Sequence, residues 1–126
     1  MKFELDHGAR WPIIRSYGVG EFRIAEQRHT TSLVLAGDQI RTDFLPENVG
    51  LLANAHLDAL CDFGTDLLVI GTGARSSFLS PVLLARVLAR GVGCEVMSTA
   101  AACRSYNVLV SEGRSVAAAL FLITTD

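Results

Sequence analysis

The sequence predicts an α/β fold: a three-layer single domain with a mixed, mostly parallel central sheet flanked by helices and an N-terminal antiparallel β-hairpin layer. Three observations carry this. Residues 1–47 hold 13 of the 24 charged side chains, whereas the longer stretch 67–126 holds 8. The charge-rich part suits half-exposed antiparallel strands, and the charge-poor part suits strands buried on both faces. Within the second part helical and extended segments alternate as β-α-β-α-β, which implies parallel strands joined by right-handed crossovers. No Pro/Gly/Ser-rich linker separates the halves, so residues 1–126 read as one domain, with about 1–47 β-rich and about 48–126 β-α-β-α-β.

Each element follows from local pattern. Gly18 and Gly20 bracket Val19 and predict a turn or bulge. Glu21–Glu26 alternates polar and apolar, the period of a half-buried strand. Thr31–Leu35 and Gln39–Asp43 read as a hairpin about Gly37-Asp38. Pro46-Glu47 predicts a helix opening there and running to about Leu60, with Leu52, His56 and Ala59 or Leu60 on one stripe. Asp66–Ile70 is a short apolar strand. Ser80-Pro81 reads as a helix entrance, a capping hydroxyl followed by proline at the first helical position. Leu84, Val87 and Leu88 give that helix its apolar stripe, and Gly91 ends it. Cys94–Met97 is the next strand, Ser98 or Thr99 caps a helix to about Val110, and Glu112-Gly113 turns the chain into a strand over Val116–Ile123.

Composition excludes several classes of function. Hydrophobic residues make up 50% and charged residues 19% of the 126, with a mean hydropathy of +0.36, so the chain is not intrinsically disordered. The longest apolar run, Val116–Ile123, is far short of the roughly 20 residues a membrane-spanning helix needs. A net charge of −2, with no long basic cluster, argues against nucleic acid. Cys61, Cys94 and Cys103 form no C-x-x-C pair, and His7, His29 and His56 form no helical pair, so neither a metal nor a disulfide framework is expected. The first six residues lack an apolar signal region, and a reducing cytoplasm is the expected compartment.

Two segments stand out as a candidate site. Gly71-Thr72-Gly73-Ala74-Arg75-Ser76-Ser77 follows a buried strand, where ligands of parallel sheets gather. Its glycines admit close backbone approach, Thr72, Ser76 and Ser77 supply donors, and Arg75 suits a carboxylate or phosphate. As a dinucleotide fingerprint it is incomplete: Ser76 replaces the last small residue, and Glu95, in the place of the ribose acid, opens its strand. The second segment, Thr99 to Asn107, begins with three alanines and puts Cys103 and Asn107 on one helix face. Cys103 reads either as a nucleophile activated by Arg104 or, better, as a small buried packing residue. Asn107 within a helix calls for a side-chain partner. The candidate ligand-binding residues are thus Gly71, Thr72, Gly73, Arg75, Ser76, Thr99, Arg104 and Asn107, with Arg75 and Arg104 converging on an anion. No catalytic constellation emerges from spacing, and no cofactor is expected.

Tyr17-Gly18-Val19-Gly20, Leu68 to Gly73, Leu79-Ser80-Pro81, Glu95-Val96-Met97, Ala102 to Leu109, Glu112-Gly113-Arg114 and Ala117 to Leu120 occur in that order. The set resembles the family of small bacterial and archaeal domains of unknown function that includes the mitochondrial NADH dehydrogenase (complex I) assembly factor 3. The resemblance spans about Tyr17 to Ile123, with Ser105 where relatives often carry threonine. It implies a three-layer α/β domain with an added β-hairpin layer and no established activity or cofactor. Its mitochondrial branch acts by protein association. A protein partner is therefore expected, a homodimer stays open, and a small anionic-ligand or enzymatic site between the two segments is the alternative.

Overall fold

The computed structural model describes residues 11–125, and its first element is a strand that sequence pattern does not flag. β1 (Ile14–Gly18) pairs antiparallel with β2 (Glu21–Ile24), and β2 with β3 (Gln27–His29), in a three-stranded sheet. Only Ile14 of β1 is buried, and a register shift between Ile14 and Ser16 breaks the period of two, so no alternation announces the strand. The Gly18–Gly20 turn forms as expected, with Gly20 at φ +77°. Strand β2 ends at Ile24, earlier than the alternation suggests, because Ala25 turns the chain at φ +54°.

The hairpin about Gly37-Asp38 also forms, as β4 (Leu33–Ala36) and β5 (Gln39–Arg41), yet it extends the central sheet rather than the outer layer. β4 pairs antiparallel with β8 (Val116–Leu120), and β6 (Leu67–Gly71) runs parallel to both β8 and β7 (Gly93–Met97). The order is β5-β4-β8-β6-β7, so β4 alone opposes the other four strands. Beyond β8 the Leu122 N–H donates to the Ser32 hydroxyl (2.9 Å), and the Ile123 carbonyl accepts from Gly20 N–H (2.7 Å).

Among the described residues three α-helices complete the fold: α1 (Asn54–Cys61), α2 (Pro81–Ala89) and α3 (Thr99–Ser111). The helix expected from Pro46 starts late. Asn48 accepts from Gly50 N–H and supports only a short 3-10 turn over Val49–Leu51, after which Leu52 is extended (ψ 132°) and buried. A glycine and a locally bonded asparagine both disfavour continuous helix there. His56 Nδ1 then accepts the Ala53 N–H, capping α1 rather than joining its apolar stripe. Pro81 opens α2, but the Ser80 hydroxyl makes no capping bond, and Leu88 is 51% exposed while Leu83, Leu84 and Val87 face the core. Ser98 caps α3 by accepting Ala101 N–H at 3.3 Å.

The layers follow from the two crossovers. From β6 the chain passes through α2 to β7, then through α3 back across β6 to β8. Crossovers of one hand that travel in opposite directions must use opposite faces. Accordingly α1 and α2 pack Leu57, Leu60 and Val87 on Leu68, Ile70, Ala117 and Ala119. The other face, with Val69, Val116 and Ala118, carries α3 (Cys103, Tyr106, Val110) and the hairpin layer (Phe22, Ile24). On the surface Arg86 grips Asp58 with two bonds (2.8 and 2.9 Å) and Arg90 holds Asp62 (2.7 Å), tying α2 to α1. The Arg86 bond holds the Asp58 carboxyl below its usual range.

The Ala25 backbone is the one described non-glycine residue at positive φ, a conformation costing an L residue about 1 kcal/mol or more. Ala25→Gly is expected to stabilise the protein by about 0.5–1 kcal/mol. A urea midpoint that falls would show that the turn is not strained.

Candidate functional site

The carboxyl ends of β6 and β7 form the crevice where the two sequence segments were expected to meet, and they do meet. A Cβ on Gly71 would lie 2.8 Å from Thr99 Cα, so the missing side chain lets the first turn of α3 sit directly on the strand end. The Thr99 hydroxyl donates to the Phe121 carbonyl (2.6 Å) and accepts the Gly73 N–H (2.8 Å). Its own N–H reaches the Gly73 carbonyl at 2.9 Å. The Thr72 hydroxyl donates to the Arg75 carbonyl (2.6 Å), lies 3.1 Å from the Met97 carbonyl, and accepts the Ser77 N–H (3.1 Å). Both threonines are buried. Gly71, Thr72, Gly73 and Thr99 thus converge as sequence suggested, with their hydrogen-bonding groups turned on one another.

The other candidates separate. Arg75 and Ser76 are exposed on the loop, and Arg75 borders a hollow of about 270 Å³ with Asn48, Ser77, Phe121 and Thr124. Arg104 borders a different hollow, a groove of about 530 Å³ on the opposite face of the sheet. Arg75 and Arg104 therefore do not share a pocket. Asn107 has the side-chain partner its helical position calls for. Its Oδ1 accepts Ile14 N–H (2.9 Å) and its Nδ2 donates to the Ile14 carbonyl (2.8 Å), so α3 completes the ladder of β1. Arg104 donates to the Tyr17 hydroxyl (2.8 Å), and the Tyr106 hydroxyl donates to the Pro12 carbonyl (2.9 Å). One face of α3 is a clamp for the hairpin layer.

Cys103 is fully buried, and desolvation pushes its thiol up to about 12, against a smaller lowering by Arg104. A thiol kept neutral at pH 7 is a packing group. Cys94 is likewise held at about 11 by burial. Glu95 is exposed in the middle of β7, lining the 530 Å³ groove rather than standing at a strand end. The loop after Gly71 runs nine residues before α2 begins at Pro81. Neither feature matches a dinucleotide site, where the glycines lead straight into the helix.

The groove is what sequence reading passed over. Leu67, Val69, Met97, Val108 and Leu109 form its apolar floor, with Arg104, Ser105, Arg114 and Glu95 around it. Val108 is 54% exposed at a helix position that the pattern alone assigns to neither core nor surface. Among the described residues there is no cluster of His, Cys, Asp or Glu able to hold a metal, and no helix long and apolar enough to cross a membrane.

Comparison with known proteins adds the lineage. A family model described as "Protein of unknown function (DUF498/DUF598)" matches residues 14–121. An uncharacterised protein of Rhodobacter capsulatus is 43% identical over 107 residues, covering 85% of this chain and 82% of that one. The NADH dehydrogenase [ubiquinone] 1 alpha subcomplex assembly factor 3 of Xenopus tropicalis is 36% identical over 112 residues. That match covers 79% of this chain, which spans 61% of the frog protein's length. A solution structure of a Xanthomonas campestris protein superposes with a TM-score of 0.81 at 34% identity, covering 100% of this chain and 96% of that one.

Two expectations follow from the geometry. Thr99→Val leaves the Gly73 N–H and Phe121 carbonyl without their partner and is expected to cost about 2–4 kcal/mol in urea unfolding, whereas Thr99→Ser costs about 1. Equal losses for both would remove the hydroxyl from the account. Cys103 is expected to resist iodoacetamide at pH 8 until the protein unfolds. Its folded value lies above the unfolded one, so the linked stability is full below about pH 9 and lost as pH rises toward about 12. Labelling of folded protein at pH 8 would contradict this.

Proposed function

The chain belongs to the DUF498/DUF598 family of proteins of unknown function, and from that premise we propose that it acts by binding another protein, as an assembly factor does. The observation that carries this reading is the 36% identity, over 79% of the chain, to a protein named as a complex I assembly factor. The site geometry supports it. The polar groups at the strand ends, where a substrate would be held, are engaged with one another, and the thiol that could serve as a nucleophile is buried and neutral. The partner is a respiratory or other membrane-bound complex approached from the cytoplasm. A second reading keeps a small anionic ligand, now limited to the hollow beside Arg75 and Ser77.

Crosslinking followed by affinity purification from the native cell is expected to recover a stoichiometric protein partner; recovery of nothing above background overturns the association reading. A thermal-shift screen against phosphate, dicarboxylates and nucleotides tests the second. A ligand at 100 times its Kd adds about 2.7 kcal/mol, roughly 10 °C at this size. Under the association reading the response is flat. A shift abolished by Arg75→Ala would instead establish the ligand.

A further inference from the structure

β7 is the last strand of the central sheet, and its outer edge has no neighbour among the described residues. Inward bonds run from Gly93 N–H to the Asp66 carbonyl (3.0 Å) and from Thr72 N–H to the Met97 carbonyl (2.9 Å). Strand alternation then turns the Cys94 and Val96 backbone groups outward, an open template for another strand. Gly93, Glu95 and Met97 face the side on which α3 lies, and there the sheet is left partly bare. The bare strip is the apolar groove of about 530 Å³.

The arginines of this groove are not neutralised by a neighbouring carboxylate among the described residues. Arg15, Arg28, Arg41, Arg86 and Arg90 each pair with a carboxylate. Arg104 instead donates to the uncharged Tyr17 hydroxyl, and neither it nor Arg114 makes an ion pair with any described residue. Arg104 lies in the second turn of α3, and Arg114 follows its end at Ser111. At 1.5 Å per residue they stand roughly 10–15 Å apart along the groove. Glu95, midway along β7, also lines the groove and disfavours an acid beside it.

We propose that β7 and this groove receive an extended segment of a partner protein, added as a further strand, with an apolar side chain over the groove and a carboxylate at each end on Arg104 and Arg114. Same-face residues i and i+4 of a strand are about 13 Å apart, which fits an acid–apolar–acid pattern at alternate positions. Backbone bonds to Cys94 and Val96 supply affinity, and the two arginines fix register. This rests on the association reading and names the surface it uses.

The test uses a blocked, fluorescein-labelled peptide, Thr-Asp-Val-Leu-Val-Asp-Thr, titrated with the purified chain by fluorescence anisotropy. Saturable binding is expected, weakened about tenfold by Arg114→Gln, about a hundredfold by Arg114→Gln with Arg104→Gln, and lost when lysines replace the aspartates. The Arg114 side chain makes no hydrogen bond or ion pair with any described residue, so its variant reports on binding even if Arg104→Gln loosens β1. N-methylation of the valine amides in one peptide and the leucine amide in another is expected to abolish binding in one of the two phases. No saturation, indifference to both arginines, or full affinity of both methylated peptides overturns strand addition. Binding of decanedioate with the same arginine dependence, and none of the peptide, assigns the groove to small dicarboxylic acids and overturns it too. Crosslinking keeps the two readings apart. A native partner retained by the double variant leaves association standing and removes the groove, whereas peptide binding without any native partner does the reverse.

Discussion

Gly71 and Thr99 meet so closely that no side-chain carbon fits between them. That approach lets one hydroxyl join the end of β8, the loop after β6 and the first turn of α3 through bonds of 2.6 and 2.8 Å. All of these groups are buried, where a lost partner costs far more than a surface bond gains. The position of α3 follows from this contact, and much of the remaining architecture follows from α3. One of its faces packs Ala102, Cys103, Tyr106 and Val110 on the sheet. Asn107, Tyr106 and Arg104 reach sideways to Ile14, Pro12 and Tyr17 and hold the hairpin layer. Fixing α3 there also leaves the outer part of β6 and β7 uncovered, so the closed crevice and the open groove have one cause.

The same contact explains what the sequence could and could not reveal. Glycines after a buried strand mean that some backbone must come close, but residue type does not say whose. A ligand's phosphate and a helix's first turn place the same demand on that position, and here the helix claims it. Likewise Asn107 within a helix announces a partner without naming it, and the partner is a backbone 93 residues away. The central strands were legible because Leu68–Ile70 and Val116–Leu120 are buried on both faces and read as continuous apolar runs. β1 was not, because its bulge and its solvent-facing Arg15 and Ser16 erase the period of two. The groove left no signal either, since an apolar residue at a bare edge and one in a core look alike in one dimension.

β8 occupies the middle of the sheet although it is the last strand in the chain, and its neighbours β4 and β6 come from opposite halves of the sequence. Ser32 and Gly20 also bind the segment just beyond it, at Leu122 and Ile123. During synthesis neither β4 nor β6 can therefore pair with its shared neighbour until residues 116–120 have emerged. At translation rates of about 5–20 residues per second, β4 waits several seconds with Leu33, Val34 and Leu35 unmatched. Closure of the central sheet thus waits on β8, and a nascent chain that stops short of residue 116 lacks the strand that joins β4 to β6.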